Sequence, residues 1–204
     1  MLFRSRFKAS GLNELKTLTE FDWGFNPKIP KKEIYELVTA KFIQNGEHAL
    51  LIGAPGTGKS HIAKTIAHAA IQSLQKTVYR EAHVLFEDIF EAEQTNRKKQ
   101  VGKIFSEPDL LVIDDLFLRK KMPEDAADYL LDIIIDRYSK RKSTVITSNR
   151  PIEDWGPLLK DNASSSAILD RLLHHGHLLK FEGKSYRLKE AAKRLSQKND
   201  ENKG

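Results

Sequence analysis

The sequence Gly-Ala-Pro-Gly-Thr-Gly-Lys-Ser at residues 53–60 matches the P-loop pattern G-x-x-x-x-G-K-[ST]. Its glycines allow consecutive backbone N–H groups to curl around phosphate oxygens, and the helix that follows directs its positive N-terminal end at the same charge. The lysine can reach the β- and γ-phosphate oxygens of a nucleotide, and the serine hydroxyl can ligate Mg²⁺. The binding candidates are Gly53, Pro55, Gly56, Thr57, Gly58, Lys59, Ser60 and the adjacent His61.

Short apolar runs alternate with amphipathic segments around this loop. The run over 48–52 stops at Gly53 and its length favours a buried strand, whereas 59–73 repeats apolar residues at helical spacing. Because strands that alternate with helices form parallel sheets, we predict an α/β fold with a parallel five-stranded sheet covered by helices on both faces. The predicted strands are 48–52, 77–80, 110–113, 144–147 and 178–181, and the predicted helices are 31–45, 59–73, 82–93, 124–138 and 166–175.

The chain of 204 residues is long enough for one α/β domain or at most two small ones. Residues 1–46 are turn-rich and are expected to lead into the core, while 47–195 contain every predicted strand and form the nucleotide-binding domain. Residues 196–204 are polar and cannot bury apolar surface, so we predict a disordered tail there.

Composition excludes several classes of protein. The chain has no cysteine, which excludes a disulfide scaffold, an iron–sulfur cluster and a thiolate zinc site. No apolar run approaches the roughly 18 residues that a membrane helix needs, and no secretory apolar region is present. We therefore expect a cytoplasmic protein with no membrane partner.

Basic residues outnumber acidic ones. The chain has 34 Lys and Arg against 28 Asp and Glu, a net charge of +6. Clusters occur at Arg97–Lys103, Arg119–Lys121 and Arg137–Arg150, which we expect in loops. A solvated surface explains any single cluster, whereas three clusters in one domain favour a nucleic acid partner.

Two adjacent acids, Asp114 and Asp115, follow the buried run over 110–113. At the end of a strand beside the P-loop, Asp114 can hold Mg²⁺ through water, and Asp115 can orient and deprotonate an attacking water molecule. A water-activating carboxylate suits nucleotide hydrolysis, because a phosphotransferase must keep water out. The alternative is a strand that ends in a solvated acidic turn.

Three further groups of polar residues have alternative uses. Asn149 could position the water, or it could cap the turn before Pro151. Arg171 could stabilise transition-state charge in a neighbouring subunit, or it could be an exposed helical arginine. The histidines invite a metal site or a nucleotide contact, but surface and packing roles fit better without a nearby acid pair. These histidines are His61, His68, His174, His175 and His177.

In this order, the P-loop, the strand ending in Asp114-Asp115, Thr147-Ser148-Asn149 and 168–172 resemble the AAA+ ATPases. More narrowly, they resemble the IstB-like family, the ATP-dependent helper proteins of insertion-sequence transposition, which are relatives of the DnaC helicase loaders. The resemblance spans nearly the whole chain. Residues 21–27 are similar to a family segment near the adenine, 167–175 to Ala-Ile-Leu-Asp-Arg-Leu-Leu-His-His, and 183–188 to Gly-x-Ser-Tyr-Arg-Leu.

The resemblance implies a role for each candidate. Lys59 and Ser60 take the phosphate and Mg²⁺ roles, Asp114 the metal role and Asp115 the water role. Asn149 becomes a sensor of the nucleotide, Arg171 a finger acting in trans, and Arg187 a second sensor of the γ-phosphate. The implied cofactors are ATP and Mg²⁺, within an AAA+ ATP-binding domain over 47–195.

The resemblance also implies partners and an activity. These are ATP hydrolysis that needs oligomerisation, nonspecific binding to duplex DNA, a transposase partner and a homo-oligomer. Two alternatives stay open: a DnaC-like helicase loader in DNA replication, and a truncated nucleotide-binding remnant without turnover. The second arises because family members carry a longer helical region before the Phe-Asp-Trp segment, where this chain has 20 residues.

Overall fold

A computed structural model of the chain describes residues 2–118 and 122–201. Its strands are β1 (His48–Gly53), β2 (Thr77–Glu81), β3 (Leu110–Leu116), β4 (Ser143–Ser148) and β5 (Gly176–Phe181). Its helices are α1 (Leu2–Ser10), α2 (Lys31–Val38), α3 (Lys41–Asn45), α4 (Lys59–Gln72), α5 (Ala82–Gln94), α6 (Lys98–Ser106), α7 (Ala126–Ser139), α8 (Trp155–Leu159), α9 (Asn162–His174) and α10 (Tyr186–Glu201).

The strands form one parallel sheet in the order β2-β3-β4-β1-β5, which confirms the predicted fold class. In β1, Leu51 lies opposite Thr147 of β4 and Leu179 of β5. Because all strands run in the same direction, the carboxyl ends of β1, β3 and β4 lie side by side at one edge of the sheet. That edge carries the 53–60 loop and both adjacent acids.

Apolar side chains cover both faces of the sheet. Successive strand residues point to opposite faces, so Leu50 packs in a cluster with α5, α7 and α9, whereas Leu51 packs in a second cluster with α4. The N-terminal segment belongs to the second cluster, where Leu12, Ile34 and Leu37 are buried. Residues before β1 therefore contribute to the same core as the sheet.

Several helices differ from those predicted. The helix expected over 31–45 is divided into α2 and α3, because Ala40 adopts a left-handed conformation with φ of 59°. Helices α1, α6, α8 and α10 were not predicted, since they are short or highly charged and their apolar repeats are sparse. Helix α10 continues through 196–201, where we predicted a disordered tail, and 202–204 lie outside the described residues. Its Lys, Gln and Glu side chains favour a helix even where little is buried.

No helix in the described ranges is both long enough and apolar enough to cross a membrane.

Arg137 of α7 is fully buried and bonded to the backbone. Its Nη1 donates to the carbonyls of Phe105 at 2.8 Å and Pro108 at 3.0 Å, its Nη2 donates to the Ser143 carbonyl, and its Nε donates to Thr144 Oγ1 at 3.0 Å. A buried guanidinium requires such partners. Arg137 therefore joins α7 to the end of α6 and to the first residues of β4.

The predicted basic clusters do not form a set of open loops. Arg137 is buried, and Lys140 is paired with Glu107 and Asp136, each at 2.9 Å. The cluster Arg97–Lys103 lies mostly on α6, not in a loop, and presents the exposed Lys99 and Lys103. The cluster Arg119–Lys121 lies outside the described residues. Counting charges along the sequence therefore overestimated the basic surface.

His48, at the start of β1, makes the stability of the fold depend on pH. Its Nδ1 accepts a hydrogen bond from the Thr144 N–H at 3.1 Å, and burial, with Arg137 and His175 nearby, lowers its pKa to about 4. Between pH 6.5 and about 4 the unfolded chain takes up a proton at this residue and the native protein does not. The stabilisation is therefore complete above pH 6.5 and is lost as the pH falls toward 4.

We expect the free energy of unfolding of the wild type to fall more steeply over this pH range than that of His48→Asn, whose amide oxygen can still accept from Thr144. The pKa difference between 6.5 and about 4 corresponds to roughly 3 kcal/mol. Urea unfolding at pH 7, 6, 5 and 4 measures the difference. Parallel curves for the two proteins would contradict the assignment.

Candidate active site

The 53–60 loop has the conformation that its glycines permit. Gly58 has a φ of 105°, and a Cβ there would lie 2.5 Å from the Phe21 ring. A Cβ on Gly53 would lie 2.1 Å from the Phe181 carbonyl oxygen of β5. Lys59 opens α4, and its Nζ donates to the carbonyls of Gly53 at 2.8 Å and Ala54 at 2.9 Å. The ammonium group is thus held against the loop.

A cavity of about 360 Å³ lies over this loop. It collects nearly all of the predicted site residues, from the loop and from the ends of β3 and β4. Gly53 lies beneath it, at the end of β1, and Arg171 lies elsewhere on α9, where its Nη1 donates to the Ala167 carbonyl at 2.8 Å. The predicted residues that line the cavity are Pro55, Gly56, Thr57, Gly58, Lys59, Ser60, His61, Asp114, Asp115, Asn149 and Arg187.

The two acids lie where the pairing of β3 with β4 is interrupted. The register shifts between Ile113 and Leu116, and Asp115 has a φ of 56°. Left-handed backbone is uncommon outside glycine and often marks a functional position. The Asp115 N–H donates to Thr147 Oγ1 at 2.8 Å, so a side chain of β4 replaces a backbone partner at this point.

Asp114 is buried, and hydroxyl groups satisfy its carboxylate. Tyr79 of β2 donates to Oδ2, and Thr147 of β4 donates to Oδ1. Burial and the Asp114 carboxylate raise the pKa of Tyr79, so it stays a donor. Each carboxylate oxygen has two acceptor positions, so Asp114 can still accept from the cavity side.

Asp115 and Lys59 face each other's charge inside a partly desolvated site. Burial raises the pKa of Asp115, the Asp114 carboxylate raises it further, and Lys59 and Arg187 oppose this shift. Burial lowers the pKa of Lys59, and the two carboxylates oppose that shift. The site is therefore poised so that Asp115 is a better proton acceptor than an exposed aspartate.

Asn149, directly after β4, has a buried Oδ1 with no hydrogen-bond partner among the described residues. Buried polar atoms are nearly always paired, and an unpaired one at a cavity indicates a missing ligand or water. This atom therefore fits a role in holding a nucleotide or water molecule. Its amide is not used to cap the turn before Pro151, where Ser148 Oγ accepts from the Arg150 N–H at 3.0 Å.

The histidines each have a neighbour that explains them. His61 lines the cavity, contacts the Thr17 carbonyl at 2.9 Å through Nε2, and packs edge-on against Phe21. His174 bonds to the hydroxyl of Tyr138 at 2.8 Å, and His177 pairs with Glu47 at 2.8 Å. In the part of the chain that the structure describes, no group of three acidic or histidine side chains is arranged around a metal position.

Two segments that flank the loop close over it, and the residues alone gave no signal for this contact. Asn26 donates to the Lys184 carbonyl at 3.0 Å and accepts from the Lys184 N–H at 2.9 Å. The Tyr186 N–H donates to the Gly56 carbonyl at 2.8 Å, and Lys189 pairs with Asp22 at 2.8 Å. We call these contacts between 22–26 and 184–189 the clasp. Helix α10 thereby begins directly on the P-loop.

Aromatic rings from both sides of the clasp line the cavity. Phe25 packs edge-on against Tyr186 with ring centroids 5.5 Å apart, and Phe21 packs on Trp23 at 4.7 Å. Phe21, Phe25 and Tyr186 all line the cavity. A flat aromatic base can pack on such rings, so this end of the cavity suits a purine and the loop end suits phosphates.

The family model described as IstB-like ATP binding protein matches residues 2–194. The chain belongs to this family. It is 36% identical over 190 residues to the ATP-binding protein of insertion sequence IS5376 from Geobacillus stearothermophilus, covering 93% of this chain and 74% of that protein. It is 34% identical to the insertion sequence IS21 ATP-binding protein of Pseudomonas aeruginosa, covering 93% and 71%. The IstB-like chain is thus an ATP-binding protein of the AAA+ class.

Solved structures share the fold of this IstB-like protein. AMPPCP-bound DnaA from Aquifex aeolicus superposes with a TM-score of 0.69 at 21% identity, over 93% of this chain and 57% of that one. The DnaC helicase loader superposes with a TM-score of 0.64 at 18% identity, over 87% of this chain and 99% of that one. Both are P-loop AAA+ proteins, so the sheet and loop described above are those of the AAA+ core.

The clasp predicts an effect on nucleotide affinity. Asn26→Ala removes two hydrogen bonds to Lys184, each worth about 1 kcal/mol, and loosens the wall of the cavity. We expect ATP to dissociate about tenfold faster and to bind correspondingly more weakly. Stopped-flow displacement of a fluorescent ATP analogue measures the rate. Asn45→Ala, at an exposed amide paired with Glu47, is the control, and equal rates in the two variants would argue against the clasp.

Proposed function

We propose that this protein is a Mg²⁺-dependent ATPase that binds DNA and assists a transposase. One observation carries the ATPase part: two acids, a loop lysine and the unpaired amide oxygen of Asn149 meet in one cavity beside the P-loop. The named relatives are ATP-binding proteins of insertion sequences, which supports the transposition part.

The loop amides and Lys59 would hold the β- and γ-phosphates of ATP. Residues that suit Mg²⁺ are present, because the Ser60 hydroxyl lines the cavity and Asp114 keeps open acceptor positions there. When bound, the metal neutralises charge that develops on the phosphate oxygens. Lys59 must leave the carbonyls of Gly53 and Ala54 to reach a phosphate.

Asp115 is placed to accept the proton of the attacking water. Its raised pKa makes it a stronger base than an exposed aspartate, which suits general base catalysis. The Asn149 amide would orient the same water. Because Asp114 is tied to Tyr79 and Thr147 and Asp115 is not, the two acids have separate roles.

Substitution separates the roles of the two acids. Asp114→Ala should weaken Mg²⁺-dependent ATP binding, whereas Asp115→Asn should leave binding within about twofold and slow hydrolysis by 10²-fold or more, as for loss of a general base. Calorimetry measures binding and phosphate release measures turnover. Equal loss of binding in both variants would show that the division of roles is wrong. A folded wild type that binds ATP without any turnover would instead favour the nucleotide-binding remnant.

The position of Arg171 supports action in trans. It lies on α9 outside the cavity and is bonded within its own helix. A finger arginine completes an active site of the neighbouring subunit in an oligomer. We therefore include assembly of several copies in the proposed function.

Mixing two inactive variants checks this arrangement. Arg171→Ala should bind ATP normally and lose 10³-fold or more of the stimulated rate, the scale reported for finger arginines. Mixed with Asp115→Asn, it should regain part of the activity, because some interfaces pair an intact arginine with an intact acid. No recovery, in mixtures shown to be oligomeric by light scattering, would rule out action in trans.

DNA binding is proposed on charge and on the relatives. The chain carries a net charge of +6, and α6 presents the exposed Lys99 and Lys103. Nonspecific contact with duplex phosphates fits such a surface. The helicase-loader alternative has only the shared fold in its favour, since DnaC is 18% identical, whereas the insertion-sequence proteins are 36% and 34% identical.

Affinity for duplex DNA should fall steeply with salt, because binding releases counterions. Lys99→Glu/Lys103→Glu should weaken binding at 50 mM salt and flatten the salt dependence, while Lys140→Ala, at a lysine already paired with two acids, should change neither much. Fluorescence anisotropy with a random-sequence duplex measures both. Identical salt slopes for all three proteins would exclude α6 as the contact.

A further inference from the structure

The hydroxyl groups around Asp114 form a connected chain across the sheet. Tyr79 of β2 donates to one carboxylate oxygen and Thr147 of β4 donates to the other. Thr147 Oγ1 in turn accepts from the Asp115 N–H at 2.8 Å. Tyr79 is 4% exposed and Thr147 is fully buried, so neither hydroxyl is exchanging partners with bulk water.

The interruption of the β3–β4 pairing explains why a side chain is needed here. Between Ile113 and Leu116 the backbone of β3 leaves the register of β4. The left-handed Asp115 would then have an unsatisfied N–H at the edge of the sheet, at a cost of about 1–3 kcal/mol. Thr147 supplies the acceptor, and its own proton goes to Asp114. One hydroxyl therefore fixes the backbone of one acid and the carboxylate of the other.

We propose that Tyr79 and Thr147 are positioning residues for the magnesium-dependent step, with different tasks. Tyr79 orients the Asp114 carboxylate alone, so that its open acceptor positions face the cavity. Thr147 orients that carboxylate and also holds the Asp115 backbone. The proposal rests on the proposed role of Asp114 toward Mg²⁺. Hydroxyls that orient a metal-binding carboxylate typically change metal affinity 10–100-fold when removed.

The two tasks predict different defects. Tyr79→Phe keeps the ring and removes one hydroxyl. We expect the Mg²⁺ concentration for half-maximal ATP binding to rise about tenfold, with ATP affinity in EDTA unchanged within twofold. Thr147→Val should show the same rise and, at saturating Mg²⁺, a slower single-turnover hydrolysis, because Asp115 is no longer held. Thr147→Ser restores the hydroxyl and should recover both properties.

Matched variants separate positioning from stability. Thr144→Val removes a buried hydroxyl of β4 that is bonded to Arg137, and Tyr129→Phe removes a hydroxyl bonded to Glu93. Both should lower the melting temperature at most and leave the Mg²⁺ requirement as in the wild type. Calorimetric titration at stepped Mg²⁺ concentrations, with melting curves for every protein, gives the required readouts.

The result of Asp114→Ala distinguishes failure of this inference from failure of the proposed function. If Asp114→Ala raises the Mg²⁺ requirement and folded Tyr79→Phe and Thr147→Val do not, the positioning roles are overturned. If the control variants shift the requirement as much, the effect is structural and the inference also fails. If Asp114→Ala leaves the requirement unchanged, Asp114 has no metal role and the inference falls with it.

Discussion

A carboxylate removed from water is costly unless polar groups replace the water, and Asp114 is only 3% exposed. The replacement comes from Tyr79 of β2 and Thr147 of β4. Those strands are neighbours of β3 only in the order β2-β3-β4-β1-β5. The same order places β1 beside β4 and brings the P-loop to the acids. Satisfying this one buried charge therefore requires the sheet order that also builds the nucleotide site.

Local signals made much of the fold predictable. The loop 53–60 is recognised by its spacing, and strands such as 110–113 are apolar runs bounded by polar residues. Asp114, Asp115 and Asn149 were placed together because parallel strands end at a common edge, and all three line the cavity. These features need only a few adjacent residues, which is why the sequence alone reveals them.

Features that depend on distant partners were not predictable. Thr147 was noted only as the residue before Ser148 and Asn149, because nothing local shows that β3 leaves its register at Asp115. Arg137 was counted as a surface charge, although it bonds to carbonyls from 28 to 32 positions earlier in the chain. The clasp joins Asn26 to Lys184, 158 positions apart. Helix α10 owes its start to that clasp and to Gly56, neither of which lies near it in sequence.

The left-handed backbone at Asp115 limits which acid can occupy this position. Asp and Asn tolerate a φ near 56° better than other residues with a side chain, because their short polar groups can bond locally. Glutamate carries the same charge on a longer chain but lacks this tolerance, so exchanging one acid for the other strains the backbone as well as moving the carboxylate. Variation at this position is therefore restricted by main-chain geometry before chemistry is considered, and a redesign that needs a longer acid must first restore the strand pairing.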